Sequence, residues 1–159
     1  TGPLGTASIL KVMTNYLASI NLAALGESLM TMKRAGIDLN TTYEAIRISS
    51  GNSFVHETES QVILNGSRDI NFTMELVVKD LTLFQSIADR ENIPLDISPL
   101  LLSIFKDGQE RYGGHEWSPN IVRRLEDACG DRLLAPGFPE EIIDSEPEIA
   151  GEEVIPRKG

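Results

Sequence analysis

The sequence predicts an all-α fold, a helical bundle built around one long helix. Three observations carry that expectation. Apolar residues recur at three- and four-residue steps through most of the chain, and period-two alternation is nowhere sustained. Helix-starting and helix-stopping residues punctuate the chain at intervals of one helix length.

The long helix is expected over Thr6 to Ala35, where Ile9, Val12, Met13, Tyr16, Leu17, Ile20, Ala24 and Leu25 form a wide apolar stripe. Pro3 precedes it and Gly36 follows. About thirty residues at 1.5 Å each give roughly 45 Å. Gly26, its interior weak point, marks close packing or a bend. Thr41 with Glu44 three residues on reads as a capping box for a second helix ending near Gly51. Ser53 caps a third, through Phe54, Val55, Val62 and Ile63, stopped by Asn65-Gly66. Phe72, Leu76, Leu83 and Ile87 mark a fourth, closed by Asn92 and Pro94. A fifth runs from Ser98-Pro99 to Gly113-Gly114. The sixth takes Ser118 as cap and Pro119 as first residue, and Gly130 ends it.

The 159 residues carry 24 acidic and 14 basic side chains, a net charge of −10. Such a surface repels phosphate backbones, so no nucleic-acid partner is expected. The longest uncharged stretch, Val12 to Gly26, has 15 residues and includes Thr14, Asn15, Ser19 and Asn21. That is too short and too polar to span a bilayer, and no membrane partner is expected. One cysteine, Cys129, rules out an intrachain disulfide. Residues 1–135 hold 17 acidic and 12 basic residues, and residues 136–159 hold 7 and 2. Half the net charge therefore lies in a tail with four prolines, read as disordered or as an arm on a neighbouring subunit using Phe138, Ile142, Ile143, Val154 and Ile155. The first residue is Thr1 and no leader pattern appears, so the chain reads as a piece of something longer.

Lys11 lies among Leu10, Val12 and Met13, with Asn15 at i+4 on the same helix face. An ammonium partly desolvated by apolar neighbours suits proton transfer near neutral pH, and a carboxamide one turn on can bind the same substrate oxygen. The spacing equally suits a lysine reaching to water beside a surface asparagine. Lys79-Asp80 interrupts an apolar run of Leu76, Val77, Val78, Leu81 and Leu83. It reads either as a solvated boundary or as a lysine aimed at a ligand beside a structural aspartate. His56 and Glu59 form an i,i+3 pair, which without a third ligand reads as a surface pair, so no metal is expected. His115 beside Glu116 reads as loop, and Cys129 as structural.

Four segments, in order, resemble the C-terminal domain of the β-hydroxyacid dehydrogenases, the family of 3-hydroxyisobutyrate dehydrogenase, distantly related to 6-phosphogluconate dehydrogenase. They are Gly2-x-x-Gly5 followed by Lys11-x-x-Thr14-Asn15; Glu27 through Ala35-Gly36-Ile37-Asp38; Phe72-x-x-x-Leu76-x-x-Lys79-Asp80-Leu81-x-Leu83; and Ile93-Pro94-Leu95 followed by Gly113-Gly114-His115-Glu116-Trp117-Ser118. The resemblance covers residues 2–128. It implies a domain like the 6-phosphogluconate dehydrogenase C-terminal domain over residues 1–135, in a cytoplasmic homodimeric oxidoreductase. That enzyme would move a hydride between a small β-hydroxy acid and NAD or NADP.

By resemblance Lys11 is the catalytic acid/base, Asn15 and Thr14 bind substrate, and Lys79 with Asp80 faces the cofactor. Thr14 stands where the family commonly has asparagine, which puts the substrate pocket in question. The family's Rossmann domain would precede residue 1, and without it this chain is expected to bind dinucleotide weakly and not to turn over. A non-catalytic helical interaction module of the same fold is the competing reading. A decarboxylase of the 6-phosphogluconate dehydrogenase type fits the shorter segments less well.

Overall fold

The structure, a computed structural model, describes residues 2–142, 151, 154 and 155. Its elements are α1 (Thr6–Arg34), α2 (Leu39–Arg47), α3 (Phe54–Asn65), α4 (Met74–Arg90), α5 (Ile97–Tyr112), a 3-10 turn (Ser118–Val122) and α6 (Arg123–Cys129). No strand occurs among the described residues. An isolated antiparallel bridge joins Thr73 to Trp117. The fold is all-α, as the sequence predicts.

α1 starts from Gly5, whose φ of +96° is open to glycine and strained for other residues. It ends with Lys33 and Arg34 in the last turn, where cations meet the negative end of the helix dipole. The Ile37 N–H closes it by donating to the Met32 carbonyl, with Gly36 at φ +81°. α1 runs through the middle of the bundle, against α2, α3, α4, α5, α6 and the 3-10 turn. Leu22, Leu25, Leu29 and Met30 meet Ile63, Leu64, Met74, Leu81 and Phe105 in one core. Gly26 is a point of close packing: a Cβ there would lie 3.0 Å from Val122 Cγ1. Gly108 on α5 is tighter still, with a Cβ 2.6 Å from Ile121 Cδ1.

By length and composition alone α1 is long and apolar enough to cross a membrane, with a mean hydropathy of 1.2 over its most apolar 18 residues. A span tolerates one or two charges, so the apolar stretch extends beyond the uncharged run between Lys11 and Glu27. In this fold the helix is the spine of the bundle.

Two helix starts differ from expectation. α2 begins at Leu39, capped by Asp38, whose carboxylate accepts the Thr41 N–H at 2.9 Å. Thr41 is therefore inside the helix, and Glu44 pairs with Arg47 rather than closing a capping box. Ser118 does not cap a helix. Its N–H donates to the Phe72 carbonyl next to the Thr73–Trp117 bridge, and the chain leaves as a 3-10 turn before α6. Ser53 does cap α3, accepting the His56 N–H at 3.0 Å.

The start of the acidic tail packs on its own chain. Leu133 is fully buried and the Ala135 N–H donates to the Leu64 carbonyl. Phe138 meets the Tyr43 ring edge-on at 5.1 Å, and Asn65 Nδ2 donates to the Pro139 carbonyl. Ile142, Val154 and Ile155 are exposed, and Ile143 lies outside the described residues. A buried ion pair ties this end to the body. Arg68, at φ +61° between α3 and α4, donates to Glu126 Oε1 at 2.7 Å, and the same oxygen accepts the Leu133 N–H. Both side chains are almost wholly shielded, at 4% and 1% exposure.

Candidate active site

Lys11 and Asn15, four residues apart on α1, point the same way toward α4 and converge on one carboxylate. Asp80 Oδ2 accepts from Lys11 Nζ at 2.5 Å and from Asn15 Nδ2 at 2.6 Å. Lys79 Nζ stands 3.7 Å from the other oxygen. Asp80 is 3% exposed, whereas Lys11 and Lys79 are 54% and 56% exposed at the rim. Tyr16 and Phe84, the next residue and the next turn, stack at 3.9 Å and fix α1 against α4 beside the cluster.

Burial alone would push the Asp80 carboxyl up. The hydrogen bonds from Lys11 and Asn15, with the Lys11 and Lys79 charges, outweigh it and hold Asp80 below the usual carboxylate range. A carboxylate only accepts, so the amide nitrogen of Asn15 faces Asp80. The amide oxygen and one N–H remain for a ligand. Lys11 likewise keeps donors free beyond Asp80, over a cleft walled by Ala7, Ser8, Val12, Lys79 and Leu83.

Thr14 is not drawn in. It is exposed, and its hydroxyl donates to the Lys11 carbonyl at 2.9 Å within its own helix. The apolar desolvation expected around Lys11 is not what surrounds its ammonium, which is half-exposed and neutralised by Asp80. The boundary reading of Lys79-Asp80 holds for Lys79, which is solvated, and fails for Asp80, which is buried as the hub.

On the far side of Asn15 lies a cavity of about 230 Å³, whose walls include Ala18, Leu22, Phe54, Ile70, Phe72 and Val77. Glu59 of α3 also lines it, with Oε2 buried and without a hydrogen-bond partner among the described residues. Burial pushes this carboxyl up to about 7. The surface His56–Glu59 pair read from the sequence is therefore corrected. His56 is buried, bonded through Nε2 to the Tyr43 carbonyl and through Nδ1 to Ser60, so it holds α3 to α2. Glu59 lies on the buried stripe of α3, four residues after Val55 and three and four before Val62 and Ile63, which is a helix-period signal of its burial. Among the described residues no group of three side chains is arranged to hold a metal. His115 is exposed and pairs with Glu75.

Comparison with known proteins finds a family model, several dehydrogenases and the cytokine-like nuclear factor N-PAC of Anopheles gambiae, the last at 24% identity over 77% of this chain and 22% of that protein. The family model described as NAD-binding of NADP-dependent 3-hydroxyisobutyrate dehydrogenase matches residues 5–125. The chain is 29% identical over 130 residues to 2-(hydroxymethyl)glutarate dehydrogenase of Eubacterium barkeri, covering 81% of this chain and 43% of that protein. It is 26% identical over 119 residues to L-threonate dehydrogenase of Escherichia coli K12, covering 75% and 39%. Among solved structures it is similar to 3-hydroxyisobutyrate dehydrogenase from Salmonella typhimurium, with a TM-score of 0.71 and 27% identity over 76% of this chain and 42% of that one. The chain spans about two fifths of the length of these dehydrogenases.

Proposed function

Because the chain belongs to the NAD-binding family of NADP-dependent 3-hydroxyisobutyrate dehydrogenase, we propose that it is the substrate-side helical domain of an NAD(P)-dependent oxidoreductase acting on a small hydroxy acid. The observation that carries this reading is the convergence of Lys11 and Asn15 on Asp80, with both lysine heads at the rim. A structural salt bridge needs one cation. This cluster holds two, and leaves donors of Lys11 and Asn15 unspent.

Lys11 acts as the acid/base. Paired with Asp80, its ammonium carries the proton that carbonyl reduction requires and delivers it to the oxygen as the alkoxide forms. In the oxidative direction the neutral amine takes the hydroxyl proton. Asp80 holds Lys11 and Asn15 at a fixed separation, and Asn15 orients the substrate through its free amide oxygen and N–H. The residues fit a nicotinamide cofactor at the rim, where Lys79 has free N–H donors for an acceptor or anionic group. When bound, that cofactor supplies the hydride exchange. The apolar side chains left exposed on α1, Ile9, Leu10 and Leu17, support a homodimer.

The test is a hydride-transfer assay of the full-length protein on small 3-hydroxy acids and their semialdehydes, with NAD and NADP. Lys11→Ala is expected to lower kcat by about 10²–10⁴, the usual share of a general acid/base. Full activity in that variant would remove Lys11 from the chemistry. A soluble dimer with no turnover on any of these substrates would favour the non-catalytic module.

A further inference from the structure

The cavity behind Asn15 has more polar character than its walls suggest. Ser19 and Thr58 line it, but their hydroxyl protons are committed to backbone carbonyls of their own helices, at Asn15 and Phe54. Toward the cavity they offer lone pairs only. Glu59 adds a carboxyl with one oxygen shut off from solvent and unpartnered among the described residues. Leaving a buried polar atom unpaired is unfavourable, and rotation of the carboxyl exchanges its two oxygens, so a ligand group in the cavity that donates to Glu59 is selected over one that does not. Asn15 and Ser118 also line it and can donate, so the acceptor left over among the described residues is Glu59, and what satisfies an acceptor is a donor.

We propose that Glu59 is a specificity-determining residue: it selects hydroxy acids whose far end carries a hydrogen-bond-donating hydroxyl and disfavours those that end in a second carboxylate. This rests on the substrate-side reading of the Lys11–Asn15–Asp80 cluster. Asn15 belongs to both the cluster and the cavity wall, so an acid held there at its reacting end projects its substituent toward Glu59. An engineered apolar cavity of about 150 Å³ accommodates benzene, so about 230 Å³ is room for a substituent of several non-hydrogen atoms. A terminal hydroxyl donates to Glu59 and accepts from it when the carboxyl is protonated. A terminal carboxylate brings negative charge against an ionised Glu59 and finds no cation lining the cavity.

The experiment compares three 3-hydroxy acids that differ only at C2, which bears 2-hydroxyethyl, propyl or 2-carboxyethyl. Each is assayed with the full-length wild type, Glu59→Gln and Glu59→Leu. Wild type is expected to prefer hydroxyethyl over propyl by about 10–100-fold in kcat/KM, with carboxyethyl below both. Glu59→Leu should lose or invert the hydroxyethyl preference, with the change carried by KM. Glu59→Gln, whose amide can donate, should keep the hydroxyl preference and improve on the carboxyethyl acid. Unchanged ratios in Glu59→Leu would overturn the proposal. The Glu59 side-chain ¹³C resonance, followed as the hydroxyethyl acid is added, separates the two readings. A shifted resonance without turnover would sink the dehydrogenase reading and keep the pocket. An unmoved resonance would sink the pocket whatever the turnover.

Discussion

Asp80 and Glu59 are two carboxylates facing α1 from different helices, and their surroundings have opposite consequences. Asp80 receives two direct hydrogen bonds and lies beside two ammonium groups, so it titrates low. Glu59 has a buried oxygen that receives none and titrates near 7. The satisfied carboxylate serves as a scaffold: it is committed to holding other groups. The unsatisfied one is stabilised little by the fold and has its hydrogen-bonding capacity left for a ligand. Burial alone does not account for the difference, because Asp80, which titrates low, is the more deeply buried residue. The donors within reach do.

Glu126 offers the sharpest break, as a third carboxylate, buried, whose Oε1 is engaged by Arg68 and the Leu133 N–H. Glu126→Ala strands the Arg68 guanidinium inside and frees the Leu133 N–H. It should destabilise the protein by about 3–5 kcal/mol, read as a lowered urea midpoint at unchanged slope. Replacing both partners, Arg68→Met with Glu126→Leu, should recover most of that loss.

Glu59 gives the next largest effect. Its folded pKa of about 7 exceeds the ordinary 4.5, so the folded state holds more protons between those values and stability falls as pH rises through that window. The loss should reach up to about 3 kcal/mol by pH 8, and Glu59→Gln should show a flatter profile. A wild-type profile already flat from pH 5 to 8 would mean that Glu59 is better solvated than its geometry indicates.

Asn15→Ala should raise KM about tenfold, one hydrogen bond to substrate, while kcat falls by less, measured in the same hydride-transfer assay. The smallest effect is on the acid limb. Asp80 sits below its unfolded value, so its contribution is present above that value and lost as pH falls through the depressed folded one. Asp80→Asn should remove that limb and leave the Glu59 window untouched.

What the sequence revealed and what it hid follow the range over which each feature is decided. The ends of α1 were readable to within a residue, because a long apolar period and the Pro3 and Gly36 punctuation agree. The shared face of Lys11 and Asn15 was readable because four residues on a helix fix it. Their convergence on Asp80 was not, since the partners are 65 and 69 residues apart and only the α1–α4 packing brings them together. The family resemblance supplied the pairing of Lys11 with the Lys79-Asp80 helix in function, yet assigned Asp80 to Lys79 rather than to Lys11 and Asn15. The burial of Glu59 is legible from Val55, Val62 and Ile63 at i−4, i+3 and i+4 on α3, whereas its carboxyl type and its pairing in sequence with His56 point to the surface; what the sequence hides is the cavity, which α1 and the segment before α4 complete. Asp38 won over Thr41 as cap because the helix starts as soon as Gly36 has released the chain from α1.

The close approach of Gly26 to Val122 also sets a timetable for biosynthesis. At about 5–20 residues per second, α1 is synthesised some 5–20 s before the segment that closes over its glycine. For that interval the most apolar helix of the domain has no lid, and it is then a natural client for whatever guards nascent chains. A substitution that slows the docking of residues 118–129 would prolong that exposure, and its first symptom would be poor yield rather than a lower melting temperature.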